Sequence, residues 1–104
     1  MTSYRLTGAA SDDILNIFIE GRERFGRAQA DKYHDGMEAV FEFLSEYPRA
    51  ARLRQEIDPS VRAHPYKAHL IVYDIEQDNG IIILRVRHGR EDWQSERDKF
   101  EKDG

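Results

Sequence analysis

The sequence has no cysteine, three prolines and one tryptophan in 104 residues. Without cysteine there can be no disulfide scaffold, no thiol nucleophile and no cysteine-ligated metal. No apolar run approaches the roughly 18 residues a membrane-crossing helix needs, and the N-terminal MTSYRLTG lacks the basic-then-apolar layout of a signal peptide. A cytoplasmic protein without a membrane partner is therefore expected. Positive charge is also short: lysine is scarce and the formal net charge is −4. That balance argues against a surface built to grip a phosphate backbone, because such affinity comes from neutralising phosphates with Lys and Arg. Leu, Ile, Val and Phe number 24, just above the roughly 20% below which a highly charged chain stays disordered. With a mean hydropathy of −0.77, this composition predicts one folded domain with a thin core.

Tyr4 and Leu6 alternate with polar neighbours up to Gly8, which predicts a short strand. Ser11, Asp12 and Asp13 can accept hydrogen bonds from unpaired N–H groups, so a helix is expected to start near Ser11. Ile14, Ile17, Phe18, Gly21 and Phe25 then recur at helical spacing, and Gly26 reads as the stop. A second helix carries Tyr33, Met37, Val40, Phe41 and Leu44 on one face until Tyr47-Pro48 ends it. The two are expected to form an antiparallel hairpin. Gly21 and Gly36 lie inside these helices at a cost of about 1 kcal/mol each relative to Ala, and close backbone approach explains them better than a hinge.

RAARLRQ, residues 49–55, is basic and without a period. Pro59 and Pro65 bracket a short candidate strand at Val61 and Arg62. KAHLIVYDI, EQDNG and IIILRVRH follow as a β-hairpin with an Asn79-Gly80 turn signal. The order is β-α-α-β-β-β, an α+β domain with the helical hairpin on one face of a small, mostly antiparallel sheet. Strict alternation would put Ile82, Leu84 and Val86 on the core face of the last strand, with Ile81, Ile83, Arg85 and Arg87 opposite. The preceding strand is apolar on both faces. Two helices can cover only one side, so an uncovered face completed by a partner segment is expected, with Arg85 and Arg87 fixing its register.

The four histidines, His34, His64, His69 and His88, lack metal-ligand spacing, and no serine stands in a G-x-S-x-G elbow. No metal, cofactor or catalytic residue is expected. The densest chemistry is RVRHGREDW, Arg85 to Trp93, where arginine forks can bind carboxylate or phosphate and His88 can exchange a proton near neutral pH.

IFIEGRERFGRAQADKYHDG, residues 17–36, taken with Pro48, Val61-Arg62, His69, Tyr73 and RVRHGREDW, resembles the ParE toxins of bacterial type II toxin–antitoxin systems. The FG-x-A-Q-A turn and the RV-x-HGR-x-DW ending are its specific parts. The resemblance implies the RelE/ParE fold for residues 1–93, followed by a charged tail over residues 94–104. It implies a toxin that inhibits DNA gyrase by protein–protein binding, held silent by a ParD-like ribbon-helix-helix antitoxin, with no direct nucleic-acid ligand. The partner-binding residues expected are Ile71, Tyr73, Arg85, Arg87, His88, Arg90 and Trp93. An alternative is the related RelE-like ribosome-dependent mRNA endonuclease, to which Arg62, Arg85, Arg87 and Arg90 would supply part of the kit; no tyrosine follows Tyr73. A non-toxic interaction module is a third class.

The charge is unevenly spread: −4 over residues 1–48, +3 over residues 49–90 and −3 thereafter. A local basic strip suits an acidic protein partner, while the acidic remainder disfavours a ribosome-bound nuclease.

Overall fold

Gly26 is the joint of the helical half. Its φ of 88° lies where side chains are disfavoured, and it both ends α1 (Gly8–Phe25) and precedes α2 (Arg27–Glu46). Its N–H donates to the Arg22 carbonyl at 3.0 Å and its carbonyl accepts from Ala30 N–H at 3.1 Å. In the computed structural model, residues 4–57 and 59–91 are described. α1 begins at Gly8, one turn before the expected Ser11. Thr7 is the cap: its hydroxyl accepts from Ala10 N–H at 3.0 Å and donates to the Leu84 carbonyl at 2.8 Å. α2 ends as expected before Pro48, the Tyr47 N–H closing on the Phe43 carbonyl at 2.9 Å.

The strands are β1 (Tyr4–Leu6), β2 (Leu53–Arg54), β3 (Val61–Tyr66), β4 (His69–Ile75) and β5 (Ile81–His88). They form one sheet in the order β1-β5-β4-β3-β2, with β1 parallel to β5 and the other neighbours antiparallel. The α+β arrangement is the expected one, with the two-residue β2 added from the segment that shows no period. β3 runs through Pro65 instead of stopping before it. β2 pairs only with Val61 and Arg62, so beyond them β3 is an edge, where a missing N–H breaks no ladder.

A β-bulge corrects the face assignment. Tyr73 pairs with Ile83 but Val72 pairs with Arg85, leaving Leu84 as the extra residue of β5. Ile81 and Ile83, on one face by alternation, join Ile71, Tyr73, Met37, Phe41 and Leu44 in the core under the helices, and the extra residue turns Val86 to that same side. Ile82 and Leu84 belong to a second cluster with Ile57, Val61, Ala63 and Val72. The uncovered face expected from the pattern is thus not at the surface: Val72 and Ile82 are 0% exposed and Leu84 1%. Ile57, from the connection between β2 and β3, packs into this cluster, so the far face is buried within the chain. Among the described residues no helix is long and apolar enough to cross a membrane.

The glycines inside the helices differ. A methyl group at Gly21 would meet Ala30 Cβ at an ordinary 3.6 Å, whereas one at Gly36 would stand 2.2 Å from the Tyr66 hydroxyl. Gly36 makes room for a side chain rather than for a second backbone.

Candidate functional site

The amphipathic faces of α1 and α2 do not close on each other along their whole length. Between them and the ends of β4 and β5 lies a groove of about 340 Å³, walled by Ile14, Ile17, Phe18, Ala30, Tyr33 and Met37, with His69 and His88 from the sheet. The bulge sets this floor. Counting back from the β4–β5 turn without it would place Arg87 opposite His69; with it, His88 stands there, the rings 5.4 Å apart.

A polar chain lies against the apolar walls. Tyr33 Oη and His69 Nδ1 share a hydrogen bond of 2.7 Å, and the Tyr66 hydroxyl donates to the Tyr33 carbonyl at 2.9 Å. Lys67 Nζ lies 5.6 Å from the ring centres of both tyrosines. Burial, and next the neighbouring His88, push the His69 pKa below the ordinary histidine value. Burial raises those of Tyr33 and Tyr66. These groups are therefore neutral near pH 7, which keeps the groove floor compatible with an apolar occupant.

At the edge of β5, α1 replaces a strand. β1 pairs only as far as Ile83. Beyond it Thr7 donates to the Ile83 and Leu84 carbonyls, and the Asp13 carboxylate accepts from Val86 N–H at 3.0 Å. The same carboxylate takes the Arg85 guanidinium in a two-pronged pair, Nε at 2.7 Å and Nη2 at 2.9 Å. Arg87 lies 3.9 Å from Asp13 and pairs with Glu91. Burial raises the Glu91 pKa, but the His88 N–H and Arg87 outweigh it and hold the carboxyl below its usual value.

These contacts place the expected residues plainly. Ile71 and Tyr73, expected to contact a partner, are 0% exposed and belong to the core under the helices. Tyr73 anchors the turn after α2, its hydroxyl donating to the Pro48 carbonyl at 2.7 Å. Arg85 is buried against Asp13 and Arg87 is largely covered. His88 faces the groove, and its Nδ1 accepts from the exposed Arg90 N–H at 3.1 Å. Trp93 lies outside the described residues. Sequence reasoning missed Asp13, which it treated as a helix-start residue, and Tyr33, which it placed on a core face. The legible signal was the pair His69 and His88 on adjacent strands of one hairpin.

Chemically, the groove offers an apolar trough with hydrogen-bonding groups on its floor, and the charged Glu20, Arg24 and Lys67 also line it. On α2, His34, Asp35 and Glu38 bring ligand atoms within 4.8 Å of one another. Three neighbouring polar side chains on one accessible helical turn are ordinary surface and make no metal centre by themselves.

A family model described as "ParE toxin of type II toxin-antitoxin system, parDE" matches residues 4–93. The chain is 30% identical to Toxin ParE3 of Caulobacter vibrioides over 84 residues, 81% of this chain and 83% of that protein. It is 28% identical to Toxin ParE1 of Mycobacterium tuberculosis over 89 residues, 86% of this chain and 91% of the relative. A solved structure described as "Chromosomal ParDE TA system from P. aeruginosa" superposes with a TM-score of 0.72 at 20% identity, covering 85% of this chain and 96% of that one; it shares the fold. On the family match across nearly the whole domain, the chain belongs to the ParE toxins of type II toxin–antitoxin systems.

Proposed function

We propose that this chain acts in the cytoplasm as a non-enzymatic toxin that inhibits DNA gyrase by binding it, and that a ParD-like ribbon-helix-helix antitoxin silences it. Family membership supports the toxin role. The observation that favours binding over catalysis is the state of the arginines. A nuclease of the related RelE type needs cations free to meet a pentavalent phosphate. Of the four arginines that would serve, three are engaged: Arg85 is fixed on Asp13, Arg87 pairs with Glu91, and Arg62 donates to the Ala51 carbonyl at 2.7 Å, which leaves the exposed Arg90. Withdrawing Arg85 towards RNA would strip the largely buried Asp13 of its two-pronged pair.

In this reading the antitoxin's apolar segment lies in the groove between the helices and the ends of β4 and β5. His88 and the adjacent Arg90 supply polar contacts at its mouth, with Trp93 beside them in sequence. The test is a supercoiling assay with purified gyrase, run beside a ribosomal mRNA-cleavage assay, each with and without the antitoxin. Inhibited supercoiling that the antitoxin relieves is expected. Cleaved mRNA with unaffected supercoiling would replace this reading with the endonuclease one.

A further inference from the structure

The far end of α2 has a surface that the groove does not reach. Phe43 and Tyr47 are 43% and 59% exposed, and their rings pack on each other with centres 5.3 Å apart. With Glu46, Pro48, Arg49 and Ala50 they line a shallow concavity. A partner that covered these rings would remove their remaining apolar surface from water. His64 of β3 stands 6.0 Å from Phe43, and its buried Nδ1 has no hydrogen-bond partner among the described residues.

Arg49, Arg52 and Arg54 follow within six residues with no carboxylate between them. Arg49 is exposed, and Arg52, 70% exposed, makes a long hydrogen bond to the Leu53 carbonyl at 3.4 Å and a surface pair with Glu56 at 3.2 Å, which a partner's carboxylate can replace at little cost. Tyr33 in the groove and Tyr47 here are fourteen positions apart on one helix and its cap, roughly 20 Å at the helical rise. The two surfaces can therefore be occupied independently.

We propose that Phe43, Tyr47, Arg49 and Arg52 form a second docking surface, which takes an acidic segment of the toxin's protein target and is distinct from the antitoxin groove. The proposal rests on the toxin reading above. Exposed aromatic rings next to arginines are the composition of protein-interface hot spots. Arg49 and Arg52 call for carboxylates, and the rings call for an apolar anchor between them. Glu42 and Glu46 flank the patch on α2, so a continuous phosphate backbone would have to pass them, whereas a protein segment can set one or two carboxylates against Arg49 and Arg52 alone.

Two variants test it in the full chain: Phe43→Ser with Tyr47→Ser, and Arg49→Glu with Arg52→Glu. Each is measured for growth arrest on induction, for inhibition of purified gyrase, for antitoxin affinity by titration, and for thermal melting. Both should raise the concentration for half-inhibition by about tenfold or more, the loss of a hot-spot contact, with antitoxin affinity and melting unchanged. Unaltered inhibition by both variants would overturn the proposal. So would a matching loss of antitoxin affinity, a change from dimer to monomer in sedimentation, or loss of binding to a single-stranded oligodeoxynucleotide probe, since each assigns the surface to another occupant. If the unsubstituted chain neither arrests growth nor inhibits gyrase, the toxin reading itself fails and takes this surface with it. If the unsubstituted chain inhibits and the variants inhibit equally, only the surface fails.

Discussion

The two ends of α2 carry similar side chains in opposite states. Near its start Tyr33 is bonded through its hydroxyl to His69 and through its carbonyl to Tyr66, and Met37 is buried. At its far end Phe43 and Tyr47 face solvent. The arginines divide the same way. Arg85 and Arg87 meet carboxylates that the fold holds against them, whereas Arg49 and Arg52 lie on the surface. Residue type alone does not say whether an aromatic or an arginine is structural or available. What decides is whether the tertiary fold brings a partner to it.

The contrast breaks most readily at Asp13. Replacing it by Ala removes the carboxylate that Arg85 meets in a buried two-pronged pair and the acceptor of Val86 N–H, so unfolding free energy in urea should fall by about 3–5 kcal/mol. Arg52→Ala, which removes only a surface pair, should cost less than about 0.5 kcal/mol. Equal costs would erase the distinction between the two arginine sets.

The groove end can be probed next through the helical glycines. Gly36→Ala drives a methyl group into the Tyr66 hydroxyl that holds Tyr33. The strain, typically 1–3 kcal/mol, should exceed the helix-propensity gain of about 1 kcal/mol and leave a net loss. Gly21→Ala meets Ala30 at normal contact and should stabilise by up to about 1 kcal/mol. Adding Tyr66→Phe should recover part of the Gly36→Ala loss in thermal melts.

The smallest effect expected is on pH dependence. His69 has its folded pKa below the ordinary 6.5, through burial first and His88 second. The unfolded chain therefore takes up this proton at higher pH than the folded chain. The stability contributed by the neutral ring is present above about pH 6.5 and is lost as pH falls below it. Melting temperature should drop between pH 7 and pH 5.5, and His69→Gln should flatten that drop. Glu56 and Glu91 also have lowered values, Glu56 through its own backbone hydrogen bond and then Arg52, Glu91 through the His88 N–H and Arg87 against the raising effect of burial. Their losses begin only near and below the ordinary 4.5 and leave this window clear.

Much of the fold was legible. Gly26 and Pro48 punctuate the helices because their backbone limits are local, and the KAHLIVYDI and IIILRVRH runs announce a hairpin by composition. The start of α1 was not, because Ser11, Asp12 and Asp13 offer caps as good as Thr7 on local grounds. Thr7 prevails through its bond to the Leu84 carbonyl, 77 residues away. The candidate site was legible in part. His88 and Arg90 lie at the surface, but Ile71 and Tyr73 lie inside, because both faces of β4 are apolar and only the packing shows which one the helices cover; the Leu84 bulge then turns Val86 to that side. A bulge adds no distinctive residue type here, so nothing in IIILRVRH marks it.

By itself the sequence determined the α+β class, the helical hairpin and the family, because turn residues, periodicity and the FG-x-A-Q-A and RV-x-HGR-x-DW runs are local signals. Only the tertiary structure decided which apolar residues are core, which histidine faces His69, and which arginines are held by carboxylates. Those outcomes depend on register and on partners more than 70 positions apart, as with Asp13 and Arg85; a one-residue slip in β5 exchanges which side chains meet, and no local preference records it.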